Sequence, residues 1–385
     1  MKKNVTSKSR LSLYCNLGAL LLAFILVLVI DATHNPTDML VKVLQKVCVY
    51  AVVAVSMNLL NGFTGLFSLG QAGFMLLGAY TCAIFIIPDE VRSQVYGYIE
   101  GGSVVHVQLP LIVAILLGGT VAALFAFLIG LPVLKLKSDY LAIATLGFAE
   151  IVRTIVTWEK LGPVTNGSFP LSKLNTFRKA LEGTPFAKFS LVTPYFLIAG
   201  ICIAVIVLII RSTYGRAFKA IRDDEIAAEA MGINLAHHKR LSFVTSSFFA
   251  GIGGALFAIF QASVSAAPFT SAMTYEILLI VVIGGIGSIT GSVLGSFLFI
   301  ASSEWWLRGL DSGKFLGISS PVFRNGFRLV VFSVIIMIFV LFFRKGIMGT
   351  KEFDVVKIGG FFKKLFTETV PGWLKKIKHK EAADQ

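Results

Sequence analysis

The chain has 385 residues, 56% of them hydrophobic and 15% charged, with a mean hydropathy of +0.81. Apolar runs recur from Leu17 to Phe343, which excludes a soluble domain and indicates an all-α polytopic membrane protein. The net charge of +14 does not indicate nucleic acid, because residues 1–10 carry +4, residues 211–240 carry +2 and residues 344–385 carry +5, each block just outside an apolar span, as cytoplasmic segments do.

The first apolar run follows Lys2, Lys3, Lys8 and Arg10, so residues 1–10 read as a cytoplasmic N-terminus. No small-x-small cleavage site follows, and Asp31 and His34 come directly after, so the run reads as an uncleaved first span. Clear spans lie at roughly 11–30, 40–60, 65–87, 109–130, 140–157, 194–211, 241–262 and 327–343. The stretch 275–306 is interrupted by Gly284, Gly285, Gly287 and Gly291. Two basic termini on the inner side require an even number of crossings, so this stretch crosses twice or not at all. Two full-length crossings need about 40 residues, and only 32 are present. Short or broken helices turning near Gly284–Ser288 are therefore expected, giving about ten crossings within residues 11–345 and a basic tail at 346–385. Residues 31–39, 88–108, 158–193, 263–274 and 307–325 then lie outside, and 131–139 and 211–240 inside. The loop 158–193, with five Lys/Arg against two Glu, is unusually basic for its side. Five crossings per half would orient the halves oppositely, as in an inverted repeat, although no residue-level repeat is visible.

Polar residues within the spans come next in chain order. Asn58, Asn61, Thr64, Ser68 and Gln71 recur every three or four residues through NGFTGLFSLG, a spacing that predicts one helical face. Such a face either lines a path for a polar or zwitterionic solute or holds neighbouring helices together. Glu150 and Arg153 are spaced to pair on one helix face, with Thr157 continuing it; the pair is either structural or a gate. Gly287, Gly291 and Gly295 form overlapping small-xxx-small pairs that predict close helix approach.

Between Tyr214 and Arg240 the chain spends 27 residues on a polar, helix-forming loop where a turn would suffice. Arg216–Arg222 predicts a first short helix, Asp223 and Asp224 an N-cap and acidic first turn, and Gly232 a C-cap. Ile221, Ile226, Ala230 and Met231 are expected to form an apolar strip. The segment reads either as an interfacial helix or as a docking element for a soluble partner. The tail mixes Phe361, Phe362, Leu365, Phe366 and Trp373 with lysines, a pattern suited to the anionic inner leaflet or to a solvated tail.

Cys15, Cys48, Cys82 and Cys202 show no metal-ligand spacing and read as packing residues; His237 and His238 have nothing nearby to complete a metal site. There is no G-x-x-x-x-G-K-[ST], the nearest fragment being Ser312-Gly313-Lys314 followed by Phe315, and no H-E-x-x-H or G-x-S-x-G. The chain thus carries no recognisable means of hydrolysing ATP and no catalytic residues.

Taken together, SMNLLNGFTGLFSLGQAGFMLLGAY, SDYLAIATLGFAEIVRTIV, GRAFKAIRDDEIAAEAMGINLAHHKRLSF, FAGIGGALFA, VIGGIGSITGSVLG and FRKGIMG resemble, in this order, the permease subunits of bacterial ABC importers for branched-chain amino acids. The likeness covers roughly residues 40–350 and is most specific in the third block. There Gly215, Arg216, Ala220, Ile221, Arg222, Asp224, Glu225, Ala227, Ala228, Gly232 and Ile233 fall on that family's cytoplasmic coupling motif. Length and the 158–193 loop resemble the longer of the two permease subunits in such importers. NGSFPL (Asn166–Leu171) matches the family's glycine-rich segment only loosely. The resemblance implies a multi-pass inner-membrane protein with both termini cytoplasmic, itself without cofactor, with ATP and magnesium bound by partner chains. Its partners would be a second permease, two ATP-binding subunits, an extracytoplasmic solute-binding protein and the surrounding lipid. Arg216 and Arg222 would then be surface contacts to an ATPase. Permeases for urea or short amides share these motifs; an ion-coupled secondary transporter using Glu150 and Arg153 is the alternative of another class, and a membrane-embedded enzyme is disfavoured.

Overall fold

A computed structural model describes Gly18, residues 20–99, 102–136, 138–185 and 187–306, and short pieces at 314–315, 318–319, 330–334, 337, 346–349 and 352. The N-terminal ten residues, most of the expected span at 327–343 and nearly all of the tail lie outside them. The chain divides into two units, Met1–Val29 with Glu352–Gln385, and Ile30–Lys351. Of the first, the described part is chiefly the helical stretch that opens α1 (Leu20–Thr33).

The helices that lie wholly within Ile30–Lys351 are α2 (Met39–Asn58), α3 (Gln71–Ile86), α4 (Asp89–Val95), α5 (Leu111–Val133), α6 (Ser138–Val156), α7 (Gly162–Thr165), α8 (Phe177–Ala180), α9 (Thr193–Arg211), α10 (Thr213–Asp223), α11 (Glu225–Ala230), α12 (Leu235–Gln261), α13 (Ser271–Gly284) and α14 (Ile289–Ile300). Strand pairing among the described residues is confined to Lys314–Phe315 with Ile318–Ser319 and a Leu171–Val264 bridge. Among the described residues four helices are long and apolar enough to cross a membrane, rising to six if each of two bent pairs is one span. One bent pair is Ser271–Gly284 with Ile289–Trp306, which folds back by 120°, so the break falls where the glycine run placed it.

The core is the mutually packed trio α3, α5 and α12, and glycine sets the spacing. A Cβ on Gly254 would lie 1.9 Å from the Met75 carbonyl, one on Gly78 2.0 Å from that of Gly251, and one on Gly118 2.7 Å from that of Gly78. Without side chains at these points the backbones meet directly, the main source of cohesion between helices in lipid. The outer helices differ: α5 and α9 each bury only about a third of their apolar window, against 78% for α12. Ile112, Leu116, Leu124 and Leu128 on α5 and Leu197, Ile201 and Leu208 on α9 are exposed, as lipid-facing surface is. Cys48, Cys82 and Cys202 are buried among apolar neighbours.

The loops sort into two ends. At one, Asp31 accepts from the Val192 and Thr193 amides and the Thr193 hydroxyl, the Tyr96 hydroxyl donates to Val164 O, and Leu171 pairs with Val264. Burial raises the Tyr96 phenol above its usual range. The basic loop 158–193 is therefore folded structure at this end, seated on 88–108 and 262–264, with Asn166 donating to Val95 O and Tyr98 stacked on Phe169. At the other end Arg240 lies over the Phe127 ring, Thr64 bonds Ser242, and Ile347 and Met348 donate to Ile283 O and Gly284 O beside the α13–α14 break.

The stripe Asn58–Gln71 does not form the single helical face its spacing predicts. α2 ends at Asn58, a π-turn covers Leu59–Phe63, Gly65 takes φ +75°, and a new helix begins only at Gln71. Helical spacing was present, but the glycines at 62, 65 and 70 supply freedom that a helix does not require.

Candidate functional site

Residues 213–233 form a capped pair of short helices. Gly215 lets α10 leave α9 at a sharp angle, since a Cβ there would sit 2.1 Å from Ile210 O. Phe218 and Ile221 are fully buried beneath α10, whereas Arg216 on the other face is exposed. Asp224 is the N-cap of α11, accepting from the Ile226 and Ala227 amides. Gly232, at φ +83°, closes it: Ile233 N donates to Ala228 O and Gly232 N to Glu229 O, the paired bonds of a Schellman motif. Glu225 is held by Lys239 of α12, and Ala228 is buried, while Ala220 is half-buried. The expected apolar strip is split. Ile221 faces inward at 1% exposure, whereas Ile226 and Met231 stand out at 82% and 83%. The 100° helical step across two differently directed helices cannot keep the four on one face.

Arg222 turns inward. Its Nη1 donates to Gly62 O (3.0 Å), its stem lies against Gly65, and its other guanidinium nitrogens hold Asp223. It therefore joins the helix pair to the π-turn below α2. Asn58 lies one turn away and is wholly buried. Its Nδ2 donates to Ser288 O (2.8 Å) and Ser292 Oγ (2.7 Å), and its Oδ1 accepts from Gly287 N (2.8 Å). One side chain thus satisfies the backbone at the α13–α14 break, where Gly285 and Gly287 take φ +119° and +86°. Gly62 is required here, because a Cβ would fall 1.9 Å from Asn58 Oδ1 and 2.6 Å from Gly287 N.

The rest of the stripe is also built into helix contacts. Thr64 bonds Ser242 Oγ at 2.6 Å, Gln71 Nε2 donates to Ser56 Oγ at 2.7 Å, and the buried Ser68 receives no such long-range bond but offers its amide to Asn61 Oδ1. Asn61 Nδ2 is buried with no partner among the described residues. Glu150 and Arg153 form the expected ion pair, partly exposed on α6, with Thr157 bonded to the Arg153 carbonyl. Gly291 and Gly295 bring α13 and α14 together, and Gly287 belongs to the turn between them.

Sequence reasoning passed over three charged residues inside apolar segments. Lys46 of α2 pairs with Glu304 beyond α14 at 2.6 Å, and both line a cleft of about 590 Å³ with Glu276 of α13. Their signal was available: ionisable groups in spans are costly and mark sites by default.

Residues 39–343 match the family model described as the permease component of branched-chain amino acid transport systems. The high-affinity branched-chain amino acid transport permease protein LivM of Escherichia coli is 34% identical over 66% of this chain. The probable LivM of Methanocaldococcus jannaschii is 25% identical over 68% of this chain and 80% of its own length, and E. coli LivH 23% identical over 80% and 93%. The chain spans about three-fifths of the length of the E. coli LivM, 61% of it. No solved structure matches. With the matched region running from α2 through the last apolar segment and the motif residues gathered on one capped element, the chain belongs to the family of branched-chain amino acid transport permease components.

Proposed function

We propose that the protein is the permease subunit of an ATP-driven importer for branched-chain or related neutral amino acids, moved by separate ATPase subunits that grip Thr213–Ala230. The observation that carries this is a helix pair whose second member, α11, is capped at both ends and presents Ile226 and Met231 almost fully to solvent. Isolated apolar side chains held on ordered backbone are what a partner's pocket takes as anchors. Arg216 is an outward contact to the same partner. Arg222 and Gly62 carry the displacement inward, since Arg222 touches the backbone beside both helix breaks. The ATP and magnesium belong to the partner chains. A second permease would complete the pore, and a solute-binding protein would dock on the end built by 88–108 and 158–193.

In this reading the chain passes the bacterial inner membrane about ten times with both termini cytoplasmic, α13 and α14 being two short passes. Supporting it, 62–65, 222, 240 and 285–287 gather at one end, and 31, 95–105, 164–174, 192 and 262–264 at the other. Five passes on either side of the 158–193 loop would give the halves opposite orientation, as an inverted repeat has. Asn61 and Ser68 remain the members of the stripe best placed to meet a solute. Glu150 and Arg153 act as a surface lock on α6.

The test is co-purification from native membranes followed by uptake in proteoliposomes. Ile226→Asp and Met231→Asp together should release the ATPases while leaving the permease folded. A chain that purifies alone and moves leucine without ATP would sink the proposal.

A further inference from the structure

We propose that residues 346–349, GIMG, are the inner seal of the solute path, a strap laid across the break between α13 and α14 that movement of the coupling helices lifts. This deepens the importer reading above and rests on it for which side is inside.

In the sequence GIMG follows the last apolar run, and in the fold it returns to the hairpin. Ile347 N donates to Ile283 O at 2.8 Å and Met348 N to Gly284 O at 3.1 Å. Both carbonyls belong to the last turn of α13, where a helix has no partners of its own to offer. The approach is as close as backbone permits. A Cβ on Gly346 would lie 2.6 Å from Val282 O, and one on Gly285 2.5 Å from Gly349 O. Gly346 and Gly349 also take φ +70° and +58°, which glycine adopts without strain.

Irregular backbone at membrane depth is stable only inside protein or beside water, and each side of this break has its own cover. Between the arms Gly284 and Gly291 meet directly, since a Cβ on Gly284 would fall 2.2 Å from Gly291 O. On the α2 side Asn58 fills the turn, and Arg222 Nη1 lies 3.5 Å from where a Cβ on Gly287 would be. The strap covers the end of α13. Asn58 is wholly buried and bonded through both ends of its amide, whereas among the described residues the strap is held by two backbone bonds and no side-chain bond. It is the cover that comes away with least loss. Lifting it turns the Ile283 and Gly284 carbonyls to water, so its release and the wetting of the break are one event. The cleft beside the hairpin stops short of this point, with Leu279 of α13 and Phe299 of α14 among its lining residues and none between them in the chain. A solute leaving that cleft for the inside meets the break and the strap on it. Arg222 reaches the same turn from the coupling helices and so joins ATPase movement to the seal.

The experiment uses the full transporter, with its second permease, ATPases and binding protein, in proteoliposomes loaded with leucine. It reads leucine efflux without ATP, leucine taken up per ATP hydrolysed, and subunit ratio. Ile347→Pro with Met348→Pro removes both donors and should raise ATP-free efflux at least tenfold, with uptake per ATP falling and all subunits present. Gly346→Ala, which drives a Cβ against Val282 O, should raise it at least threefold. Ile347→Ala keeps the amide and should match the parent. Efflux within twofold of the parent, in whichever of the proline pair and Gly346→Ala assembles, would overturn the proposal. Failure of both to assemble would do so too, making the strap a folding element, as would loss of the ATPases from Ile347→Ala, making it a docking contact. A parent complex that takes up leucine without ATP would instead refute the importer reading, which separates the two failures.

Discussion

Asn58 and Lys46 lie on the same helix, twelve residues and about 18 Å apart, and their surroundings are built differently. Around Asn58 the polar atoms are turned onto protein: its amide holds the α13–α14 break, Gly62 and Gly287 touch backbone to backbone, and Arg222 closes over them. Around Lys46 the charges border open cavities, with Lys46 bonded to Glu304 and Glu276 on the same cleft. The first arrangement makes irregular backbone tolerable at membrane depth. The second places ionisable groups beside space that water can enter.

The largest expected effect comes from removing a close approach in the core between α12 and α3. Gly254→Leu forces a side chain into the Met75 carbonyl and should cost about 3 kcal/mol or more, read as loss of the monodisperse peak in size-exclusion chromatography. Asn58→Ala should come next. It leaves Gly287 N buried without this partner, at about 1–3 kcal/mol, while Ser288 O keeps the Ser292 amide and hydroxyl, and should raise amide exchange across 283–292 while the cleft around Lys46 is unaffected. Arg222→Ala should cut ATP-driven uptake about tenfold, a loss of one 1.4 kcal/mol coupling step, with ATPase subunits still bound because Ile226 and Met231 remain. Gly232→Ala is the smallest, about 1 kcal/mol for a Cβ at φ +83°, visible as faster exchange at Ala228–Ile233 and weaker ATPase retention.

How much of this could be read from residues depends on how far apart the interacting groups lie. The caps are local chemistry and were legible, the N-cap of α11 falling on Asp224, the second of the Asp223–Asp224 pair, and the C-cap on Gly232, as was the break near Gly284–Ser288, because glycines and span length are properties of one segment. The Asn58–Gln71 stripe misled because its helical spacing is real while the glycines between its members let tertiary contacts redirect the chain. The bond from Arg222 to Gly62 O was not legible, because the carbonyl it meets is 160 residues away. The Lys46–Glu304 pair is separated by 258 residues, and nothing local to either announces the other. The rule that ionisable groups in spans mark sites would have found the residues, though not their pairing.

The folded-back pair α13–α14 also bears on how the protein is made. Its arms, Ser271–Gly284 and Ile289–Trp306, are short, the first only about 21 Å of helix against a bilayer core of about 30 Å. The turn between them depends on Asn58, synthesised 230 residues earlier. On the ribosome, the early helices must wait with an unanswered amide until the last third of the chain emerges, and the hairpin can settle only against a bundle already assembled. A chain truncated before Gly285 would present that amide to the membrane as a defect, one that quality-control proteases could recognise.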